Sequence, residues 1–383
     1  MDKKNKNPNV PNLRFREFNE QLIYTSFEKV IKLYRGSSPR PIINYVTTDE
    51  NGVNWIKIGD MPSVGNKVFS CSEKITKDGS KKSRAVYKGD IILSNSMSFG
   101  KPYILGIDGF IHDGWFVIRD YKKYLDKTYL CQLLSSDIVQ NQYKSTAAGG
   151  VVKNISSDLV NSVKFHLPSI IEQRKIARFL ESIDQRIETQ IKIIDDYNSL
   201  KMGIYNCMFK ENYADYKLKQ LAYIVKGDQI NNDQLLSNGS YYMMNGGTSP
   251  SGYLDSYNVS ENTISISEGG NSCGYVQFNS CPFWSGGHCY TIQNVNSALI
   301  ENKYLYHYLK YKEKEIMNLR IGTGLPNIQK KDLENFTILV PSLLIQRKNL
   351  ALFEMLDEKI SILNEELANL QKQKKYLLCN MFI

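Results

Sequence analysis

Polar and basic side chains that could contact a polyanion lie beside turn glycines in both halves of the sequence. Neutralising phosphates requires Lys and Arg on loops, and reading base edges requires Asn, Gln, Arg, Ser or Thr near a groove. The candidates in the first half are Arg35, Ser37, Ser38, Asn95, Ser96, Lys101, Lys144, Thr146, Lys153 and Asn154. The candidates in the second half are Lys226, Asn245, Thr248, Ser249, Asn271, Arg320, Thr323 and Asn327. For any one of them a solvated loop residue is the commoner alternative, because loops are generally polar.

Motifs that would indicate catalysis are missing from the sequence. A nucleotide-binding GxxxxGK[ST] loop is absent, since Gly100-Lys101-Pro102 has neither the upstream glycine nor the hydroxyl. The one Asn-Pro pair, Asn7-Pro8, is not an amino-methylation motif of the Asn-Pro-Pro-Tyr type. The seven cysteines form no CxxC pair, and the histidines show no metal-ligand spacing: His112, His166, His288 and His307. We therefore predict a non-catalytic chain without a metal or cofactor of its own.

Charge and hydropathy narrow the class of protein further. The formal net charge of +9 favours a polyanionic partner. No apolar run approaches membrane-spanning length, and the basic, Asn-rich start from Met1 to Pro11 has no apolar core. The sequence therefore predicts a cytoplasmic protein that does not bind membranes, with its cysteines kept as free thiols.

Two long helices would have to position the polar clusters. The seven-residue apolar repeat in the last part of the chain is typical of a coiled-coil seam, and it falls on Phe353, Leu356, Ile360, Leu363, Leu367 and Leu370. The same phase occurs earlier in the chain, at Leu180, Ile183, Ile187 and Ile194. At about 1.5 Å per residue, each helix would be roughly 60 Å long.

The two seams are copies of one another, because the second repeats the first at a shift of 173 residues. At that shift Pro168 falls on Pro341, and the Gln-Arg-Lys triplet that begins at Gln173 recurs at Gln346. A shared phase together with shared flanking residues indicates an internal duplication. Lys374 takes one seam position and falls on Lys201. We expect each lysine stem to lie along the seam with its ammonium in water, and selection of helix register is a second possibility.

The duplication extends to the segments before the helices. In each segment a short apolar stretch leads to a glycine, at Gly36 and at Gly227, and strand-like stretches follow it. Further on, Asn154-Ile155 recurs as Asn327-Ile328. The stretches expected to form strands are 54–58, 86–94, 109–118 and 262–267, and a helix is expected near 127–142. Ser169 is predicted to cap the first long helix in a capping box with Glu172, which Ile345 replaces in the second copy.

The chain resembles the specificity subunit of type I restriction-modification systems over nearly its whole length. The residues that carry the resemblance are Pro11-Asn12-Leu13-Arg14-Phe15 and the twice-used Pro-Ser…Gln-Arg-Lys helix start at 168–175 and 341–348. The resemblance implies an α+β fold: two repeated α/β target-recognition domains, separated by two long helices packed as an antiparallel coiled coil with pseudo-twofold symmetry. The expected divisions are a basic flexible tail (1–21), the first domain (22–167), the first spacer helix (168–212), the second domain (213–340) and the second spacer helix (341–383).

The same resemblance implies what the protein does and with which partners. Each domain would read one half of a bipartite site in double-stranded DNA, and the coiled coil would fix the gap. Two methyltransferase (modification) subunits, which use S-adenosylmethionine, would dock on this chain. Restriction subunits, which are motor-nucleases using ATP and Mg²⁺, would join outside them. The alternatives are a coiled-coil scaffold whose two heads bind carbohydrate or protein, and an enzyme without recognisable motifs.

Overall fold

A computed structural model describes residues 9–95, 100–147, 154–209, 213–322, 324 and 326–383. The chain forms two compact units. Unit 1 comprises Met1–Lys192 and Asn364–Ile383, and unit 2 comprises Ile193–Leu363. The long helices therefore do not form a unit of their own, because part of each helix belongs to each unit.

Unit 1 contains twelve strands among its described residues. They are β1 (Ile23–Ser26), β2 (Lys32–Arg35), β3 (Val46–Thr47), β4 (Val53–Ile56), β5 (Lys67–Val68), β6 (Glu73–Ile75), β7 (Arg84–Val86), β8 (Ile91–Ser94), β9 (Pro102–Leu105), β10 (Gly109–Ile111), β11 (Trp115–Arg119) and β12 (Lys164–Leu167). β1 pairs with β12, so the two ends of the domain meet. The others form two five-stranded sheets, in the orders β2-β11-β8-β9-β5 and β3-β6-β4-β10-β7.

Helices pack one face of the first of these sheets. They are α1 (Phe27–Val30), α2 (Lys77–Ser80), α3 (Lys127–Ser135), α4 (Asp137–Ala147), α5 (Ser157–Ser162) and the long α6 (Ile170–Met208). Buried apolar residues of β8 and β11 share one core cluster with α3, α4 and α6. The other face of the sheet contributes Ile92, Tyr103 and Val117 to a second cluster with Ile56 and Ile111 of the other sheet.

Unit 2 repeats this plan with fewer strands. Its strands are β13 (Ala214–Lys217), β14 (Tyr223–Lys226), β15 (Tyr241–Met244), β16 (Gly252–Leu254), β17 (Thr263–Ser267), β18 (Val276–Asn279), β19 (Trp284–Ser285), β20 (Cys289–Gln293) and β21 (Thr337–Val340). Its helices are α7 (Leu218–Leu221), α8 (Asn302–Tyr311), α9 (Glu313–Met317), α10 (Lys330–Glu334) and α11 (Leu343–Asn380). The order β14-β20-β17-β18 matches β2-β11-β8-β9, and β13 pairs with β21 as β1 pairs with β12.

Two predicted elements are interrupted in the structure. The stretch 109–118 forms β10 and β11 with a turn at His112–Gly114 between them, where the Gly114 amide donates to His112 Nδ1 at 2.9 Å. The predicted helix at 127–142 breaks at Ser136, whose backbone is extended. Its hydroxyl donates to the Leu133 carbonyl at 2.6 Å, and its own carbonyl accepts from the Gln140 amide at 3.0 Å. Ser136 thus ends one helix and begins the next, a role that short hydroxyl side chains favour.

The seam residues lie on the helix faces that pack against each other. The six that are buried are Leu180, Ile183, Ile194, Phe353, Leu356 and Leu363. The four that are half-buried are Ile187, Ile360, Leu367 and Leu370. In unit 1, Asp184 contacts Lys374 and Gln190 contacts Glu366, so α6 and α11 run antiparallel there. In unit 2, Tyr205 of α6 packs edge-on against Phe353 of α11, with ring centroids 4.8 Å apart.

Each seam lysine forms an ion pair with an aspartate of the facing helix. Lys374 pairs with Asp184 in unit 1, and Lys201 pairs with Asp357 in unit 2. The two pairs are copies of one another, since Asp184 and Lys201 lie 173 residues before Asp357 and Lys374. The expectation that these ammonium groups reach into water is therefore wrong, because a carboxylate on the partner helix is within reach of each stem.

A buried glutamine joins each long helix to the helix that packs on it. The Gln173 side chain accepts from the Asp126 amide at 2.9 Å and donates to the Tyr124 and Pro168 carbonyls. Gln346 does the same in unit 2, accepting from the Glu301 amide at 2.8 Å. This explains the repeated glutamine of the Gln-Arg-Lys triplet, because it satisfies main-chain groups that the start of a helix leaves without partners.

The segment predicted as the end of a flexible tail packs against unit 1. Leu13 donates its amide to the Asn380 carbonyl at 2.9 Å, and Phe15 meets Phe179 edge-on at 5.9 Å. Arg14 makes two bonds to the buried Glu172, of 2.7 and 2.8 Å. Both carboxylate oxygens of Glu172 face Arg14, so the predicted capping box is replaced by this ion pair. Ser169 Oγ still accepts from the Glu172 amide, at 3.5 Å.

Unit 2 contains a buried histidine that should make its stability depend on pH. Burial, followed by repulsion from Lys201, lowers the pKa of His307 to about 3, whereas an unfolded histidine has a pKa of about 6.5. Below pH 6.5 the unfolded chain therefore binds a proton that the folded chain does not, so stability is full above this pH and falls towards pH 3. At pH 4.5 the loss should be about 2–3 kcal/mol.

A matched control for this effect exists within the chain. Gln132 of unit 1 takes the place of His307 on the corresponding helix, and it donates to Asp184 Oδ2 at 2.8 Å. We expect His307→Gln to lose less melting temperature than the wild type between pH 7.5 and pH 4.5. Equal losses in the two proteins would contradict the prediction, because carboxylates that titrate in this range are common to both.

Candidate nucleic-acid interface

The polar loops of unit 1 meet at one edge of its central sheet. Strand pairing places Arg35, Ser94 and Trp115 together, at the ends of β2 and β8 and the start of β11. Gly36 follows β2 and donates its amide to the Trp115 carbonyl at 2.8 Å. A Cβ at Gly36 would lie 1.9 Å from the His112 carbonyl oxygen, so only glycine permits this approach.

Asp113 is the hub of this edge. Its carbonyl accepts from Arg35 Nε at 3.2 Å and from Asn95 Nδ2 at 2.8 Å, and its carboxylate accepts from Ser38 Oγ at 3.0 Å. Burial opposes ionisation of Asp113, but the Ser38 hydroxyl, its own amide and Arg40 outweigh burial and lower its pKa. Three predicted residues, Arg35, Ser38 and Asn95, are therefore brought together around one carboxylate.

The other candidates in unit 1 are more dispersed. Ser37 is half-buried, and its amide donates to the Ile111 carbonyl at 3.2 Å. Lys101 is exposed with its ammonium 5.1 Å from the centre of the Tyr103 ring. Lys144 is exposed on α4, and Asn154 is exposed beside Ile155. Ser96, Lys153 and the Thr146 side chain lie outside the described residues.

Unit 2 builds the same edge from different side chains. Lys226 at the end of β14 and Ser267 at the end of β17 meet the start of β20. Gly227 donates its amide to the Cys289 carbonyl at 2.9 Å, as Gly36 does to Trp115. A Cβ at Gly227 would lie 2.3 Å from the Ser285 carbonyl oxygen. The duplicated glycine thus serves the same close approach in both units.

A cleft of about 590 Å³ opens at this edge of unit 2. The predicted residues Lys226, Asn245 and Asn327 line it, together with Glu268 and His288. The Asn245 side chain accepts from the His288 amide at 3.0 Å, and Asn327 Oδ1 accepts from Gln329 Nε2 at 3.0 Å. The remaining described candidates are exposed but are not among the residues lining the cleft: Thr248, Ser249, Asn271 and Arg320. Thr323 lies outside the described residues.

Glu268 is the residue of this cleft that the search for basic and amide side chains missed. It is 8% exposed, and its Oε1 accepts from Lys226 Nζ at 2.6 Å and from Tyr290 OH at 3.2 Å. Burial and the neighbouring Glu268 raise the pKa of Tyr290, which keeps its hydroxyl a donor. The internal repeat could have revealed this position, since Glu268 lies 173 residues after Asn95.

The backbone confirms that Asn95 and Glu268 are equivalent. The Asn95 amide donates to the Gly114 carbonyl at 3.0 Å, and its carbonyl accepts from the Ile155 amide at 2.7 Å. The Glu268 amide donates to the His288 carbonyl, and its carbonyl accepts from the Ile328 amide, both at 2.9 Å. One scaffold therefore presents an amide in unit 1 and a carboxylate in unit 2.

Two α/β units of one plan, each with its own polar loop edge and each including part of two long helices, define a duplicated binding protein. The sequence model of the type I restriction modification DNA specificity domain matches residues 30–195 and 210–372. These two matches cover most of the chain. The chain belongs to this family of type I specificity proteins.

Individual relatives agree with this assignment. A Mycoplasma pneumoniae protein named as a type I specificity subunit is 34% identical over 155 residues, which is 40% of this chain and 41% of that protein. The MjaVIII specificity subunit of Methanocaldococcus jannaschii is 23% identical over 339 residues, which is 76% of this chain and 78% of that protein. The crystal structure of a type I S subunit from M. genitalium shares the fold, with a TM-score of 0.63, 18% identity and coverage of 98% of this chain and 99% of that one.

Two further searches of the described residues bear on other kinds of site. No three His, Cys, Asp or Glu side chains come together there as a metal-binding group. None of the helices in the described part of the chain combines the length and apolar character that a membrane crossing needs.

Proposed function

We propose that this chain is the DNA-reading subunit of a type I restriction-modification complex and that it has no catalytic role. The observation that carries the proposal is the duplicated loop edge. Arg35, Asn95 and Asp113 occupy it in unit 1, whereas Lys226, Glu268 and His288 occupy it in unit 2. Identical backbone frames with different polar side chains are what two different half-sites would require, because base edges are distinguished by their donor and acceptor patterns.

The long helices would set the gap between the half-sites. α6 and α11 are each continuous, and their parts pair within each unit through Lys–Asp contacts and buried seam residues. A packed helix pair keeps a fixed rise of about 1.5 Å per residue. Two reading edges attached to it would therefore fit half-sites at one separation along the duplex, whose helical repeat is about 34–36 Å.

The chemistry of the complex would come from partner subunits. In this proposal two methyltransferase subunits use S-adenosylmethionine, and motor-nuclease subunits use ATP and Mg²⁺. This chain contributes position: it would bring the target base within reach of the methyltransferase by holding the flanking half-sites. A cytoplasmic location follows from the proposal, since the complex acts on the DNA of the cell.

Salt dependence tests whether the loop edges bind DNA. The full chain with its partner methyltransferase should bind duplex DNA with log affinity falling linearly against log salt concentration. For about six to ten phosphate contacts, the loss between 50 and 200 mM salt is on the order of 10³-fold or more. A sequence preference should persist above the nonspecific binding. Binding that ignores salt, or that shows no preference for any sequence, would favour a scaffold with carbohydrate- or protein-binding heads.

A further inference from the structure

The strongest unassigned feature is a carboxylate oxygen without a hydrogen bond in the cleft of unit 2. Both donors described above, Lys226 and Tyr290, bind Oε1 of Glu268. Oε2 is buried and makes no hydrogen bond within the described part of the chain. An acceptor left without a donor in a buried position costs stability, and proteins keep such costs mainly at functional sites.

His288 separates this oxygen from the cleft. The imidazole Nδ1 lies 3.6 Å from Oε2, which is beyond a normal hydrogen bond. The His288 side chain is 61% exposed, so a small rotation of its ring into solvent would expose Oε2 to a bound molecule. The carboxylate itself would not move, because Lys226 and Tyr290 hold its other oxygen.

The surroundings of Oε2 define the group that would fit. A carboxylate accepts hydrogen bonds and donates none, so its ligand must present an N–H or O–H. In the major groove, cytosine N4 and adenine N6 are the exocyclic amines, whereas guanine and thymine present O6 and O4 as acceptors. Lys226 and His288 line the same cleft and would face the phosphates or the neighbouring base acceptors.

The equivalent position in unit 1 supports a reading role. Asn95 makes the same two backbone hydrogen bonds as Glu268, but its side chain donates Nδ2 to the Asp113 carbonyl. The scaffold therefore does not require a carboxylate at this point. A charged side chain is present in only one of the two copies, which is expected if the position selects a base rather than supports the fold.

We propose that Glu268 reads one base of the half-site bound by unit 2, accepting a hydrogen bond from the exocyclic amine of a cytosine or adenine. The inference rests on the proposed function and deepens it. It assigns the specificity of one base position to one side chain, which the family membership does not.

Methylation mapping tests the assignment. The full chain and its partner methyltransferase are expressed in a host without other methylation, and the methylated sites are sequenced. With Glu268→Gln the half-site read by unit 1 should be unchanged. One position of the other half-site should lose its preference for cytosine or adenine, with discrimination falling on the order of tenfold or more. Glu261→Gln is the matched control, because it removes the same charge just before the opposite end of β17, from an exposed side chain.

The outcomes separate this inference from the proposed function. Absence of any methylated bipartite site with the wild-type chain would contradict the proposed function itself. Normal bipartite methylation with no changed position in Glu268→Gln, or a uniform loss at all sequences, would overturn the role of Glu268 alone. If Glu268→Gln fails to fold, Glu268→Asp decides by the same criterion, since it keeps the charge beside Lys226 but shortens the reach to the base.

Discussion

Inserting one heptad into α6 after Lys192 and one into α11 after Leu363 is expected to abolish methylation at the original sites. Both insertions fall at the boundary between the units, so the contacts inside each unit are kept. Seven residues add about 10.5 Å of helix, which corresponds to about three base pairs. Three base pairs rotate a half-site by roughly 100° around the duplex, whereas a heptad turns the helix by only about 20°. The two reading edges would then face different sides of the DNA.

Three heptads in each helix should restore methylation with a longer gap. The added length is about 32 Å, close to one turn of the duplex. The new sites should keep both half-sites and have a gap about nine base pairs longer. A single heptad placed in α6 alone is the folding control, because it breaks the register that pairs Lys201 with Asp357 and should lower the melting temperature. An unchanged gap with three paired heptads would exclude the helices as the element that sets it.

Replacing Arg14 with methionine should destabilise unit 1 by about 3–5 kcal/mol. The Arg14 side chain is 12% exposed and that of Glu172 only 1%, so removing the guanidinium leaves a buried carboxylate without its partner. The buried Glu172 keeps the pKa of Arg14 above its ordinary value, mainly through their hydrogen bonds. Unfolding in urea can be followed by tryptophan fluorescence, since Trp55 and Trp115 both lie in the core of unit 1.

Two companion variants show whether the lost charge pair is the cause. Arg16→Met removes an exposed guanidinium from the same segment and should change stability by no more than about 0.5 kcal/mol. Arg14→Met combined with Glu172→Met should recover most of the stability, because no buried charge remains. If Arg14→Met and Arg16→Met unfold at the same urea concentration, the ion pair does not stabilise the unit.

The sequence predicted the helices and the duplication because both are written in local spacing. A heptad phase survives in any context that buries one face, so the seam positions at Leu180 and Phe353 could be identified without coordinates. The breaks at His112–Gly114 and Ser136 could not be located in this way. Each depends on a side-chain hydrogen bond to a nearby backbone group, which competes with regular structure without changing the apolar pattern.

The candidate site was only partly accessible from sequence. Searching for basic and amide side chains identified Arg35, Asn95 and Lys226, but it gave no reason to include Asp113 or Glu268. Acidic residues are repelled by phosphates in general, and only the fold shows that these two organise the cations around them. Their contacts, from Asn95 to Asp113 and from Lys226 to Glu268, join residues that are distant in the chain. Such long-range pairing has no local signature.

The main-chain anchoring of Asn95 and Glu268 has an evolutionary consequence. Both residues are fixed to the scaffold by their amide and carbonyl groups, which every amino acid except proline possesses. A codon change at either position can therefore alter the chemistry displayed at the sheet edge while the strands and helices stay as they are. New target preferences could arise by single mutations, with little selection against them from misfolding.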